Sequence, residues 1–520
     1  MDGAKRAVPL MGQKDPRRIE IMMENMTMSG MKNKRKGIKV RWLFIIFSLF
    51  IGCKEEKQIC NKGIDLVPFP QNCSGVKDGN VSILWEFTPS SEKPFFPSSS
   101  SLSVGDVDGD GKTEVVVELS ERYYVLNGED GSILWSFQTK EGMDLFGVKL
   151  LGCISSLIDD LNCDGGNEIV VWCGDWNTYA LNGKDGSVLW VSKKPFSHTS
   201  MGDINGDGRD EGVGICIKMK EVDENEEVEE IRICAIDWVN RSLLWKSKPI
   251  PSSVFDTISV GDLNSDGVPD VVFGCGYLEK ACGIMALDGK NGSLLWSYLS
   301  PEKDIDSVMA PPVLGDIDED GKLEVIAVAS GEWLHAFNGE DGFLFLRRNF
   351  PASIALANTK DGFRIVGSGG VVMNVRGEVI FNKRENGMLG PYFPVIGDVD
   401  GDGKLDTIVY KQETEYIGNT PYSQLLIYAV SIEDGSEHLI YEGEKKREVE
   451  EVMVLLLADV NNDCILDLLV GIEEWQGKYS RVITLSLGVP VPPPHLLPWP
   501  MARHDVKGTS LYTGDPYPPW

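Results

Sequence analysis

An acidic nine-residue segment recurs seven times along this chain, and no other feature restricts its fold as strongly. The copies start at Asp106 (DVDGDGKTE), Asp160 (DLNCDGGNE), Asp203 (DINGDGRDE), Asp262 (DLNSDGVPD), Asp316 (DIDEDGKLE), Asp398 (DVDGDGKLD) and Asp459 (DVNNDCILD). Positions 1, 3, 5 and 9 are Asp, Asn or Glu in every copy. In order they are Asp106, Asp108, Asp110 and Glu114; Asp160, Asn162, Asp164 and Glu168; Asp203, Asn205, Asp207 and Glu211; Asp262, Asn264, Asp266 and Asp270; Asp316, Asp318, Asp320 and Glu324; Asp398, Asp400, Asp402 and Asp406; Asp459, Asn461, Asp463 and Asp467. Position 6 is Gly in six copies, where a left-handed backbone lets the chain turn sharply. Cys464 stands there in the seventh.

Alternate positions of a tight loop aim their oxygens at one point, and Ca²⁺ takes roughly six to eight oxygens, whereas Mg²⁺ keeps more water. A solvated Asp-Gly turn would explain any single copy, but not seven with every ligand position filled. The expectation is about seven bound Ca²⁺, one per acidic loop.

No helical pattern flanks the loops; β-branched runs such as VVVEL and IVVW follow them. A second motif comes about twenty residues later, ending at Trp135 (LNGEDGSILW), Trp190, Trp245 and Trp296, with weaker copies ending near Phe345, Phe381 and Leu439. Its Asn-Gly and Asp-Gly turns between apolar runs predict hairpins. Each unit therefore has four strands: one into the acidic loop, one out, one up to the second turn, and one carrying the Trp. A four-stranded unit repeated every 40–60 residues is a propeller blade.

The loop starts are spaced 54, 43, 59, 54, 82 and 61 residues apart. The long gap holds two units, the second (353–382) lacking an acidic loop, which makes eight blades; seven is the alternative if 353–382 is an insertion. The last unit, 453–487, lacks its Trp strand, and residues 79–87 (GNVSILWEF) are a Trp strand without a blade. Pairing the two closes the ring and removes an exposed sheet edge. The fold class is all-β, an eight-bladed propeller over 79–488. The tryptophans, at equivalent places in successive units, are expected to pack between blades.

These residues resemble two families. The acidic loops followed by β runs are similar to FG-GAP (integrin-α-like) repeats, which implies Ca²⁺ between the first two strands of a blade. The NG-x-DG endings with their Trp resemble the tryptophan-docking repeats of quinoprotein-type eight-bladed propellers. The resemblance covers about 81–487 and carries no ligand specificity.

The flanks differ from the ring. Residues 31–52 read as a signal peptide, a basic segment followed by the apolar run Trp42–Ile51, too short to span a bilayer. The stretch FIGC resembles a bacterial lipobox, which would make Cys53 a lipidation site; an ordinary signal peptide is the alternative. Residues 1–30 sit oddly ahead of a signal and read as an upstream extension, with 53–78 as a linker. The Pro-rich tail 489–520 is expected to strap against the ring through Trp499, and its WPMARHD resembles a segment found beside secreted bacterial propellers.

The chain carries a net charge of −29, and residues 1–52 hold eleven of the bases against four of the acids, so the part from Cys53 onward carries −36. Such a charge excludes a nucleic-acid footprint. Export would place all 11 cysteines in an oxidising compartment. Cys216/Cys234, Cys275/Cys282 and Cys60/Cys73 are candidate disulfides, with buried free thiols as the alternative. No hydrolase, zinc-protease or phosphate-loop motif appears, and no catalytic residue is assigned. The expected role is an exported, lipid-anchored, calcium-binding propeller. It would serve as a surface adhesion or scaffold module, with a protein or carbohydrate ligand on the face opposite the acidic loops. The membrane would be reached only through the lipid. A polysaccharide-lyase-like or quinoprotein-like enzyme on the same ring is the rival.

Overall fold

The computed structural model describes residues 79–512, apart from 90–101 and several short stretches, mostly in connections. The extension, the signal segment, Cys53, Cys60, Cys73 and Arg503–His504 lie outside the described residues. No helix among the described residues is long and apolar enough to cross a membrane.

Eight four-stranded antiparallel sheets form a ring. Blade 1 is Leu102–Gly105, Glu114–Leu119, Arg122–Asn127 and Ile133–Phe137. Its loop and turn fall where the two motifs place them. Blades 2 to 7 begin at Cys153, Phe196, Ile258, Val313, Ile354 and Ile396. The unit without an acidic loop is a full blade, Ile354–Thr359 through Val379–Asn382, its first hairpin closed tightly at Gly362. Blade 8 takes Glu450–Ala458, Ile465–Glu474 and Ser480–Pro490 from late in the chain and Ser82–Phe87 from its beginning. Ser82 pairs with Ser486 and Phe87 with Val482, so the ring closes as the sequence predicts.

Burial grades outward along each blade. In blade 1 the first and second strands, Leu102–Gly105 and Glu114–Leu119, are buried throughout. Fourth strands keep little but the Trp inside: in Ile133–Phe137, Ile133 is 52% exposed and Trp135 is 9%. The near-continuous apolar runs are those of strands covered on both faces, and the ring's interior supplies that cover.

The tryptophans dock across blade boundaries. The indole Nε1 of Trp85 donates to Gly128 O (2.8 Å), Trp135 to Gly183 O (2.7 Å), Trp245 to Gly289 O (2.6 Å) and Trp296 to Gly339 O (2.6 Å). Each acceptor is the first Gly, or the Gly after Asp, of the next blade's turn. The second Gly of that turn has φ near +70°, and a Cβ there would meet the indole: 2.7 Å at Gly131 and 2.4 Å at Gly292. The exception is Trp190, which stacks on Trp238 at 5.3 Å because blade 3 carries Trp in place of the first turn Gly.

The weaker copies are corrected by one residue in two cases. Phe345 and Leu439 are 45% and 43% exposed, and the neighbouring Leu346 and Ile440 face inward. The outer strand of blade 5 bulges at Phe345, as that of blade 1 does one residue before Trp135, which puts Leu346 in the Trp place, whereas the outer strand of blade 7 bulges later, at Ile440.

Of the candidate disulfides, Cys216–Cys234 forms across a hairpin of blade 3. A second bond, Cys153–Cys173, joins the first two strands of blade 2. Cys275 and Cys464 are also disulfide-bonded, and the side chain of Cys282 lies outside the described residues.

The tail goes further in than a strap over the surface. Ile396 pairs with Thr407 on one side and Trp499 on the other, Leu456 with Leu469 and Met501, and Leu314 with Val325 and Leu511. These are first strands, so the tail takes up the edges that face away from their own blades, toward the centre of the ring. Trp499 is 1% exposed and Leu497 fully buried. The Tyr512 hydroxyl accepts from Asn358 N of blade 6 at 3.1 Å.

Candidate metal centres

Each acidic segment closes the hairpin between the first two strands of its blade. The residue before position 1 pairs with position 9: Gly105 with Glu114, Gly202 with Glu211, Gly261 with Asp270, Gly315 with Glu324, Gly397 with Asp406, Asp159 with Glu168, and Ala458 with Asp467. Position 9 is thereby held at the ladder's end, under its own loop.

Within the loop every acid has a backbone task. The position 1 carboxylate accepts from two amides with its two oxygens, as Asp203 does from Asp207 N and Gly208 N, both at 2.9 Å. Asp106 does the same with Gly109 and Gly111, and Asp459 with Asp463 and Cys464. Position 3 accepts from the amide of position 5, and position 5 from that of position 7, as Asp108 does from Asp110 (3.0 Å) and Asp110 from Lys112 (2.9 Å). Position 9 accepts from the amide of position 2 in six loops, as Glu114 does from Val107 at 2.8 Å, whereas Ile204 N donates to Gly202 O. These bonds wind the loop around its own acidic side chains.

Among the described residues, Asp106/Asp108/Asp110, Asp316/Asp318/Asp320 and Asp398/Asp400/Asp406 each bring one carboxylate oxygen apiece within 4.8 Å of one another. In three copies with Asn at position 3, the amide instead donates to position 9, as Asn205 does to Glu211 (2.6 Å). The side chain then draws carboxylate and carbonyl oxygens together by a hydrogen bond.

Position 9 is the innermost group: Glu114, Glu168, Glu211, Asp270, Glu324, Asp406 and Asp467 are all between 0% and 3% exposed. Burial first, with the neighbouring carboxylates adding to it, pushes Glu114, Asp406 and Asp467 up to about 8 and Glu211 to about 9. Glu168 and Glu324 rise to about 7 and Asp270 to about 6 for the same leading reason. Glu211 Oε2 and Asp467 Oδ1 are sealed from water without a hydrogen-bond partner. Buried carboxylates facing other carboxylates are costly unless a cation or a proton neutralises them. An all-oxygen donor set of this kind fits a hard divalent ion such as Ca²⁺.

Three features escape a reading of the acids alone. Position 2 is apolar in every copy and buried, from Ile204, Leu263 and Val460 at 0% to Leu161 at 7%, so it pins the loop to the core. Position 4 is also left-handed where described, with φ of 56° at Ser265, 62° at Glu319 and 57° at Asn462. Successive loops also touch: Asn167 Nδ2 donates to Asp106 O (2.6 Å), and Thr113 Oγ1 to Asp459 O (3.3 Å). The apolar second position was there to be seen in the sequence; the contacts between loops depend on how blades are set side by side.

A family model described as outer membrane protein assembly factor BamB matches residues 83–264, less than half of the chain. No curated protein matches. Among solved structures the chain is similar to BamB from Moraxella catarrhalis, with 14% identity, a TM-score of 0.38, and 70% of this chain and 89% of that one covered. It is likewise similar to the rhamnogalacturonan lyase YesW (15%, 0.49, 85% and 79%). The quinohemoprotein alcohol dehydrogenase of Comamonas testosteroni gives 12%, 0.43, 81% and 78%.

Proposed function

We propose that this chain is an exported, calcium-stiffened propeller that serves as a binding or scaffold module for a protein partner. The calcium part rests on one observation: in all seven loops a carboxylate at most 3% exposed lies beneath further acids. In this reading Asp106, Asp108, Asp110 and Glu114, with their counterparts in the other six loops, hold Ca²⁺. The ion neutralises the buried position 9 and ties the first two strands of each blade together. Its role is structural, adding its binding free energy to folding.

The module part rests on the same rigidity and on what stands at the far ends of the strands. There the second-to-third-strand hairpins are long: Asp406–Ile417 pairs with Thr420–Ser431 along its whole length and lifts Tyr416, 70% exposed, off the ring. Glu211–Val222 with Asn225–Asp237 makes another, acidic one. Long tips on a rigid scaffold are where recognition concentrates. The partial match to the BamB model favours a protein partner and an envelope location. Anchoring through lipid on Cys53 and a carbohydrate ligand belong to the same proposal as its finer forms.

Metal content by mass spectrometry, with melting in excess EGTA, tests the first part. About seven Ca²⁺ per chain and a large fall in melting temperature are expected. Fewer than three tight sites, or an unchanged melt, would overturn it. Protein and carbohydrate arrays, run with and without pyrroloquinoline quinone, test the second: turnover or quinone-dependent binding would replace the module by an enzyme.

A further inference from the structure

The ring is closed by joining the two ends of the propeller in blade 8. Strand Ser82–Phe87 is held in blade 8 by its ladder to Ser480–Pro490, by Gly79 N to Gly488 O (2.6 Å), and by the Arg481–Glu86 ion pair (2.9 Å). On the acidic-loop side a second set of contacts crosses the same seam. Thr113 of blade 1 donates from its amide to Asn462 Oδ1 (3.2 Å) and from its hydroxyl to Asp459 O (3.3 Å). Gly128, in the turn of blade 1, lies so close to Val460 that a Cβ would stand 2.0 Å from that residue's carbonyl oxygen. Trp85, from the closing strand, donates to the carbonyl of the same Gly128. Loop 459–467, the turn of blade 1 and the closing strand are thus stacked in series.

Loop 459–467 is also the one among the described loops with two non-glycine residues in left-handed positions, one of them the disulfide-bonded Cys464. Its two left-handed positions are Asn462 and Cys464 (φ 57° and 67°), where loop 106–114 has Gly109 and Gly111. Non-glycine residues pay for that conformation. Asp459 and Asp467 are fully buried. Asp467 Oδ2 accepts from Val460 N at 3.0 Å, while Oδ1, beside Asp459, Asp463 and the hydroxyl of Ser486, is sealed from water without a hydrogen-bond partner. That oxygen is the place in the loop for a cation.

We propose that loop 459–467 is a cation-operated latch on the ring. Ca²⁺ held by Asp459, Asn461, Asp463 and Asp467 fixes the surface on which Thr113 and Gly128 rest, and so locks Ser82–Phe87 into blade 8. This rests on the calcium reading above and adds that one of the sites controls closure.

The test is hydrogen exchange of the full chain, followed at peptides covering 82–87, in saturating Ca²⁺ and in EGTA. With Ca²⁺ at about 100 times its Kd, linkage allows up to a hundredfold protection, so slowing of at least about tenfold is expected at 82–87. Asp463→Asn should lose one ion and most of that slowing. Asp320→Asn, in blade 5, should also lose one ion and leave 82–87 unchanged. Thr113→Val, which removes no ligand, should keep the full metal content and weaken the calcium effect at 82–87. If Asp463→Asn loses its ion while exchange at 82–87 stays calcium-dependent as in the wild type, the latch is wrong and the calcium reading stands. If the wild-type chain binds no Ca²⁺, both fall.

Discussion

Replacing Trp245 by Ala measures what one inter-blade dock contributes. The indole is 8% exposed, spans from blade 3 to the turn of blade 4, and donates to Gly289 O at 2.6 Å. A buried indole covers about 150–250 Å², which at about 25 cal/mol per Å² corresponds to roughly 4–6 kcal/mol as an upper bound. Alanine retains part of that area, and large-to-small core changes at Trp cost about 3–5 kcal/mol. The carbonyl of Gly289 would lose its partner as well, adding on the order of 1 kcal/mol if water cannot reach it. We expect a loss near 4 kcal/mol. Leu243→Ala, two residues earlier in the same strand and 52% exposed, is the control and should stay within about 0.5 kcal/mol. Urea unfolding followed by circular dichroism gives the difference, and hydrogen exchange over 242–246 and 284–298 shows whether the loss is local to the blade 3–4 boundary. If Trp245→Ala falls within about 1 kcal/mol of Leu243→Ala, the indole is not what joins the blades.

Further outcomes follow from the loops, the tail and the thiols. In the metal-free chain, position 9 carboxylates raised to about 8 or 9 (Glu114, Glu211, Asp406 and Asp467) bind more protons folded than unfolded. Their contribution is therefore complete below the ordinary carboxylate range and is lost as pH rises through about 8. Melting in EGTA should fall from pH 5 to pH 8.5, and added Ca²⁺ should flatten or reverse that slope; a metal-free melt that rises with pH would contradict the burial argument. Trp499→Ala, at 1% exposure on the inner edge of Ile396, should cost about 3–5 kcal/mol and speed exchange in blades 7 and 8 more than in blades 2 and 3. Non-reducing peptide mapping should return Cys153–Cys173 and Cys216–Cys234 as linked pairs; free thiols at either would refute the assignment.

The ring was legible in this sequence because each blade repeats two motifs whose physics is local. An Asp-rich loop with Gly at its sixth position and an NG-x-DG turn before a Trp fix where chains reverse, and the runs between them have no choice but strands. The arithmetic of the 82-residue spacing even exposed a blade without its loop. What stayed hidden depends on packing rather than on local pattern. Ile440 rather than Leu439 faces inward because the outer strand of blade 7 bulges later than those of the Trp blades, and nothing in SEHLIY marks it. Cys153 and Cys173 come opposite each other only through the register of blade 2. The tail's proline run suggested a strap, but that Trp499 would enter the ring followed from the free inner edges of short first strands. Of the candidate sites, the side chains at positions 1, 3, 5 and 9 could be named from spacing, whereas the contacts from Thr113 to Asp459 and from Asn167 to Asp106 are products of the ring itself.

The pairing of Ser82 with Ser486 also dictates an order of folding. Some 400 residues separate these partners, so the closing ladder is the least local contact in the chain, and its loop entropy must be met before any hydrogen bond rewards it. Blades 1 to 7 can each form from contiguous sequence; blade 8 cannot. Until the ends meet, Ser82–Phe87 and Ser480–Pro490 both present unpaired edges open to another chain. Conditions that slow that last encounter, dilute denaturant above all, should therefore favour exchange of the closing strand between two molecules, and refolding yield should drop as protein concentration rises even though closure covers the edge of Ser480–Pro490 in the finished ring.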